Sequence, residues 1–214
     1  MVLSATTFII IVTVIASLYA WSKPHLYQKW MLNPYQVKNN KQYWRFITSG
    51  FIHADYIHLG FNMFSLYFLG RFLEQVFQVF FTEYGSLIYI GLYLAGIIVS
   101  DIPTYLKHKE NSYYNSLGAS GGVSAVLFSY VLFQPTHNLY LFAVIPIPAI
   151  IFGLLYLLYS YQMARRGGDF INHDAHFYGA VFGIVATIIL IPDSVRIFIE
   201  QINNWQLFSQ ILLW

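Results

Sequence analysis

Residues 117–133 read LGASGGVSAVLFSYVLF: a serine framed by small residues, then a strongly apolar, charge-free run. They lie inside a longer stretch, positions 111–164, that holds no Asp, Glu, Lys or Arg. That stretch has room for two bilayer crossings at ~20 residues each. The rest of the chain is of the same kind. Of 214 residues, 57% are hydrophobic and only 9% charged, against roughly 25% charged in soluble domains. So few charges cannot cover a water-exposed surface. Long apolar runs such as 8–16 also argue against a β-barrel, whose strands alternate in short segments. The chain reads as an all-α, polytopic membrane protein.

Six spans are expected, at 3–21, 55–74, 83–102, 118–135, 139–160 and 175–191. The first has no charge and no basic stretch before it, so it reads as a transmembrane helix and not as a cleaved signal. The fifth contains Pro146 and Pro148, which predicts a kink. Residues 1–192 form one six-helix core on this reading. Residues 193–214 carry Val195, Phe198, Ile202, Trp205, Phe208 and Leu212 at spacings of three and four, an amphipathic tail on the surface. The long connection 22–54 mixes Lys23, Lys29, Lys38 and Lys41 with Tyr27, Trp30, Tyr35, Tyr43 and Trp44. Aromatics with snorkelling lysines belong at the membrane interface.

Against this apolar background a few polar residues stand out, and such groups at membrane depth are costly. His53, His58 and Asn62 form H-x4-H-x3-N, Ser120 sits between glycines, and His176 precedes Gly179 and Gly183. His58, Ser120 and His176 lie near the starts of the second, fourth and sixth spans. Even-numbered spans run in one direction, so the three residues share a depth near one face. Ser120 needs a base to become a nucleophile, and the imidazole of His176 can serve. Asp174, two positions away, faces elsewhere on a helix, which favours a Ser–His dyad. A glycine-flanked helix start aims unpaired N–H groups at the serine. His58 and Asn62 are i and i+4 and share a helix face. Gly118/Gly122 and Gly179/Gly183 are small-xxx-small pairs that let the fourth and sixth helices approach.

Each of these features alone is more often structural: a packed helix start, a hydrogen-bonded histidine, a helix-end anchor in Glu74 with Arg71. Their combination points to acyl transfer. There is no cysteine, and His173 and His176 at i, i+3 lack a third ligand, so neither metal nor cofactor is expected. A net charge of +2 without a basic patch on a soluble domain gives no reason to expect nucleic acid.

Together, Trp44-Arg45, His53-x4-His58-x3-Asn62, Glu74, Gly118-x-Ser120-Gly121 and Ala175-His176-x2-Gly179-x3-Gly183 resemble the rhomboid intramembrane serine proteases over residues 3–191. The resemblance implies a six-transmembrane-helix rhomboid-type bundle. It implies Ser120 as nucleophile, His176 as base, and His58, Asn62 and the backbone at Ser120 as oxyanion partners. His53, Gly118, Gly121, Gly179 and Gly183 would support the site. The implied substrates are transmembrane proteins in the lipid bilayer, cut in or near the membrane segment, with the cell (inner) membrane as location. Two positions depart from the family pattern. Gln42 stands where an acidic residue often precedes Trp-Arg, and Ser124 where an aromatic often packs on the histidine. Phe128, one turn on, is the nearest replacement. The family opens its site away from the cytoplasm, whereas Lys23, Lys29, Lys38, Lys41, Arg45, Lys107, Lys109, Arg165 and Arg166 crowd the site end and would place it inside by charge bias. A catalytically silent relative, and a haem-binding or transport bundle built on His53, His58 and His176, are the competing readings.

Overall fold

The structure is a computed structural model that describes residues 3–141, 144–167 and 171–205. Helix α1 (Ala5–Ser22) starts where the Ser4 side chain accepts from the Thr7 N–H. The connection that follows is a folded layer. Helices α2 (Pro24–Trp30) and α3 (Pro34–Asn40) both open on proline, whose fixed φ and missing N–H suit a first turn. Helix α4 (Arg45–Thr48) runs into a single 3₁₀ turn, Ser49–Phe51. Leu32, Val37 and Ile52 of this layer are fully buried.

Helix α5 (Tyr56–Ser65), a π turn (Leu66–Gly70) and α6 (Arg71–Phe81) make one continuous segment. Thr82, at φ 50°, begins the short turn Thr82–Tyr84 that leads into α7 (Gly85–His108). Gly85 is required there, since a Cβ would come within 2.5 Å of the Gln78 backbone. Helix α8 (Ser120–Phe133) is followed by strands β1 (Asn138–Leu141) and β2 (Ile145–Pro148), then α9 (Ala149–Arg166), α10 (His173–Leu190) and α11 (Asp193–Asn203). The chain is thus a helical membrane bundle whose main segments are α1, α5–α6, α7, α8, α9 and α10. Helix α8 is its axis. Every residue from Gly121 to Phe133 is buried, as expected of a helix apolar on all sides. It packs against α5–α6, α7, α9, α10 and α11.

The fifth span departs from expectation. Residues 139–148 are not the first half of a kinked helix. Residues 138–141 and 145–148 instead pair as antiparallel strands, Leu139 with Ile147 and Tyr140 with Pro146. Pro146 and Pro148 lack the N–H that a helix interior needs and push the residues before them to extended backbone. The helix begins directly after the second proline. At the tail, α11 follows Pro192. Phe198 packs inward while Val195 and Ile199 are exposed. Phe208 and Leu212 lie outside the described residues.

Glu74 anchors the bundle far from the glycine-flanked serine. Its carboxylate accepts from the Ala5 N–H (2.7 Å), the Thr6 N–H (3.0 Å), the Thr6 hydroxyl (2.8 Å) and the Ser86 hydroxyl (3.1 Å). It is an acid at a helix N-terminus, where negative charge is favoured, and it is almost fully buried. Glu74→Ala should leave the two buried N–H groups of Ala5 and Thr6 unpaired, at ~1–3 kcal/mol each, while the Thr6 hydroxyl keeps Tyr89 as a partner. Denaturant unfolding in detergent should show a fall of about 2–6 kcal/mol.

Candidate active site

The chain reaches Ser120 through a segment stitched to the first connection. Ser116 and Leu32 exchange backbone hydrogen bonds (2.9 and 3.0 Å), and the Gly118 N–H donates to the Ser49 carbonyl (2.9 Å). The Ala119 N–H donates to His53 Nε2 (3.2 Å). Gly118 has φ +122°, a conformation that L side chains rarely adopt, and a Cβ there would lie 2.6 Å from His58 Cε1. The imidazole of His58 therefore lies against the backbone two residues before Ser120. Ser120 is the first residue of α8. Among the described residues the N–H groups of Ser120, Gly121 and Gly122 have no partner, and Val123 is the first to bond back, to Ala119.

His53 is wholly buried at this junction. A backbone N–H can only donate, so Nε2 accepts from Ala119 and the neutral ring carries its proton on Nδ1. That proton faces Ser17 Oγ at 3.1 Å, and the Ser17 hydroxyl in turn donates to the Phe51 carbonyl. The His53 carbonyl accepts from the Trp21 indole (2.7 Å). Burial, with the neighbouring His58 second, pushes the His53 imidazole down to about 3, against an opposing pull from Asp55. Both ring nitrogens are occupied, which removes His53 from a haem-ligand reading. The His58 ring lies 5.0 Å from it, edge-on. Asn62, buried one turn further along α5, donates to the His58 carbonyl (3.0 Å).

Helix α10 meets α8 through bare backbone. A Cβ on Gly179 would collide with the Gly121 carbonyl, and one on Gly183 with the Ala125 carbonyl. The α8 partners are therefore Gly121 and Ala125, not Gly118 and Gly122. Gly118 lies before the helix against His58, and Gly122 faces Ile97 and Tyr93 of α7. The start of α10 is fixed by Asn172. Its Oδ1 accepts from the Ala175 N–H (3.1 Å) and the Thr104 hydroxyl (3.0 Å), and its Nδ2 donates to Asp101 (3.4 Å). Asp101 also accepts from Ser49 (3.5 Å), and so links the first connection, α7 and α10. Ser100, Asp101, Ser116, Asn172 and Ala175 line a small recess with Ser120. Asp174 pairs with Lys107 at 3.0 Å.

His176 is half-buried, with its ring 5.9 Å from that of Tyr156 at 25°, and edge-on to His173 at 5.7 Å. The Tyr156 hydroxyl is 2.6 Å from Ser124 Oγ. Phe128 packs on Tyr156 (5.8 Å). The aromatic beside His176 thus comes from α9, and Phe128 is one layer removed. Neither Tyr156 nor the linking role of Asp101 was evident in the sequence. Asp101 offered a signal as a carboxylate inside an apolar span, whereas Tyr156 is one of 18 tyrosines.

A family model described as Rhomboid domain matches residues 40–193, from the end of α3 to the start of α11. This chain belongs to the rhomboid family. It is similar to RHOMBOID-like protein 12, mitochondrial, of Arabidopsis thaliana, with 27% identity over 74% of this chain and 51% of that protein. Presenilin-associated rhomboid-like protein A, mitochondrial, of Danio rerio is 30% identical over 64% of this chain and 35% of its own length. Rhomboid-like protein 11, chloroplastic, of Arabidopsis thaliana is 27% identical over 71% of this chain and 54% of its own length. The chain spans about half the length of these relatives, or less. In this rhomboid protein the Gln42 departure is met by geometry. The Arg45 guanidinium donates to Gln42 Oε1 (2.7 Å) and to the Met31 (2.7 Å) and Gln28 (3.1 Å) carbonyls, a set of neutral oxygens.

Two outcomes follow. The unfolded His53 ring takes up a proton near 6.5, whereas the folded ring does so only near 3. The unfolded state therefore binds the extra proton between these values, and stability falls as pH drops through that window. Thermal melts in detergent should show this fall, and His53→Gln should flatten it. Gly179→Leu should force α10 away from Gly121, lowering both the melting temperature and the reactivity of Ser120.

Proposed function

We propose that this rhomboid protein is an intramembrane serine endopeptidase that cleaves transmembrane proteins in or near their membrane segment. The observation that carries the reading is the backbone contact of Gly121 with Gly179. It joins the first turn of α8, which bears Ser120, to the first turns of α10, which bear His176. Ser120 Oγ attacks the scissile carbonyl as its proton passes to the His176 imidazole. A C–O bond forms, and the oxygen of the tetrahedral intermediate takes the negative charge. The C–N bond then breaks as His176 returns the proton to the leaving amine. A water repeats the cycle on the acyl-enzyme and frees Ser120.

On this reading the developing oxyanion is met by the first-turn N–H groups of α8, the His58 ring and the second N–H of the Asn62 amide, whose first is donated to the His58 carbonyl. We read the catalytic pair as a Ser–His dyad, with Asp174 engaged by Lys107 at 3.0 Å. Lipid surrounds the bundle, and the substrate arrives through it. We take the membrane to be the cell (inner) membrane, with the site end outside the cytoplasm, although the similar proteins carry mitochondrial and chloroplastic names.

A fluorophosphonate should modify Ser120, with labelling abolished by Ser120→Ala and by His176→Ala, whereas Asp174→Asn should remain active. Labelling that persists in Ser120→Ala would refute the assignment. Asn62→Ala should lower kcat by at most about 10²–10³, the effect of removing one oxyanion donor. Its KM and melting temperature should stay close to wild type. For orientation, the chain has no native cysteine. In intact cells a membrane-impermeant maleimide should label Ser112→Cys at the site end and spare Glu83→Cys at the opposite end. The reverse pattern would favour the charge bias.

A further inference from the structure

We propose that Tyr156 on α9 is the positioning residue for the His176 imidazole, and that Ser124 on α8 holds it in place. The proposal rests on the reading of Ser120 and His176 as nucleophile and base. The two rings are 5.9 Å apart at 25°, within the range of offset stacking. A histidine ring turns in a broad torsional well, while proton transfer needs its nitrogen within roughly 2.6–3.2 Å of the serine oxygen. A flat ring alongside removes orientations that miss the serine. The phenol is fixed at its far end by the 2.6 Å hydrogen bond to Ser124 Oγ. Ser124 is buried and lies one turn after Ser120 on the same face of α8. A single helix face therefore presents the nucleophile and, one turn deeper, the anchor of the ring that orients the base.

Tyr156 is half-buried and flanked by two further rings. Phe128 packs at 5.8 Å and Phe152 at 6.2 Å. Gly153 brings α9 close, since a Cβ there would already stand 3.2 Å from the Phe128 ring. The rest of α9 holds the bundle lightly. It buries only Ala149, Gly153 and Ser160, while Leu154, Leu155, Leu158 and Tyr159 are exposed. The orientation of the base is thus set from a helix that carries neither member of the dyad.

The test uses the full chain purified in detergent. It reads the rate of Ser120 labelling by a fluorophosphonate, kcat and KM on a transmembrane substrate, and the melting temperature. Tyr156→Leu fills much of the same space without a flat ring. It should slow labelling and lower kcat by about tenfold or more, as small misplacements of reacting groups do, with KM unchanged. Tyr156→Phe keeps the ring and should stay within about threefold of wild type, the scale of one neutral hydrogen bond. Ser124→Ala should match Tyr156→Phe, and the double variant should be no worse than either single change. Wild-type labelling and kcat in the folded fraction of Tyr156→Leu overturn the proposal, whatever the melting temperature. A wild-type chain that does not label at all overturns the serine-hydrolase reading, and this proposal with it.

Discussion

How near α10 can come to α8 decides what the site end of this protein can do. In lipid there is no hydrophobic gain from bringing two apolar helices together, so close packing of backbone must do it. Gly179 against the Gly121 carbonyl and Gly183 against the Ala125 carbonyl supply that packing along two turns. Any Cβ at either glycine meets a carbonyl oxygen, which cannot move without breaking the helix it belongs to. The contact is therefore intolerant of substitution in a way that side-chain packing is not. It fixes the distance between the helix that starts with Ser120 and the helix whose first turn carries His176.

The polar groups of the site end obey one rule, that a buried donor or acceptor must find a partner. His53 illustrates it. Burial holds its ring neutral, and its two nitrogens serve as one acceptor for Ala119 and one donor for Ser17. Asp101 and Asn172 do the same for the other side, joining Ser49, Thr104 and the Ala175 N–H. Between them they hold the segment before Ser120 and the start of α10 to the same scaffold. Glu74 plays an equivalent part at the opposite end, where it completes the first turn of α1.

The outer layers are held differently. The first connection is bound by carbonyls converging on Arg45, by the Leu32–Ser116 bridge and by the Lys38–Glu110 pair at the surface. An exposed pair of that kind adds little stability. Helix α9 is joined through a short aromatic row, Phe128, Tyr156 and Phe152, beside His176, and through Tyr159 on His173 and Tyr161 on Phe177. The bundle thus has a rigid centre of α7, α8 and α10, with α9 attached at its side.

The sequence by itself determined the class, the number of main helices and which polar residues gather at the site end. Charge depletion and apolar run length act locally, and the order of the helices places His58, Ser120 and His176 at one end by parity alone. Gly118 and Glu74 were legible for the same reason, since turn chemistry and a charge in an apolar span are written residue by residue. The strands at 138–141 and 145–148 differ from the helix expected there because their hydropathy alone is that of a helix. The two prolines signalled a break there, but not which backbone would replace the helix. What only the tertiary structure decided is which groups meet: the Gly121 and Ala125 carbonyls against Gly179 and Gly183 of α10, Gly122 against Ile97 and Tyr93 of α7, Gln42 in reach of Arg45, and Tyr156 beside His176. Such contacts depend on the rotation of each helix about its axis. That rotation is set by packing against all neighbours at once, and no local pattern of residues records it.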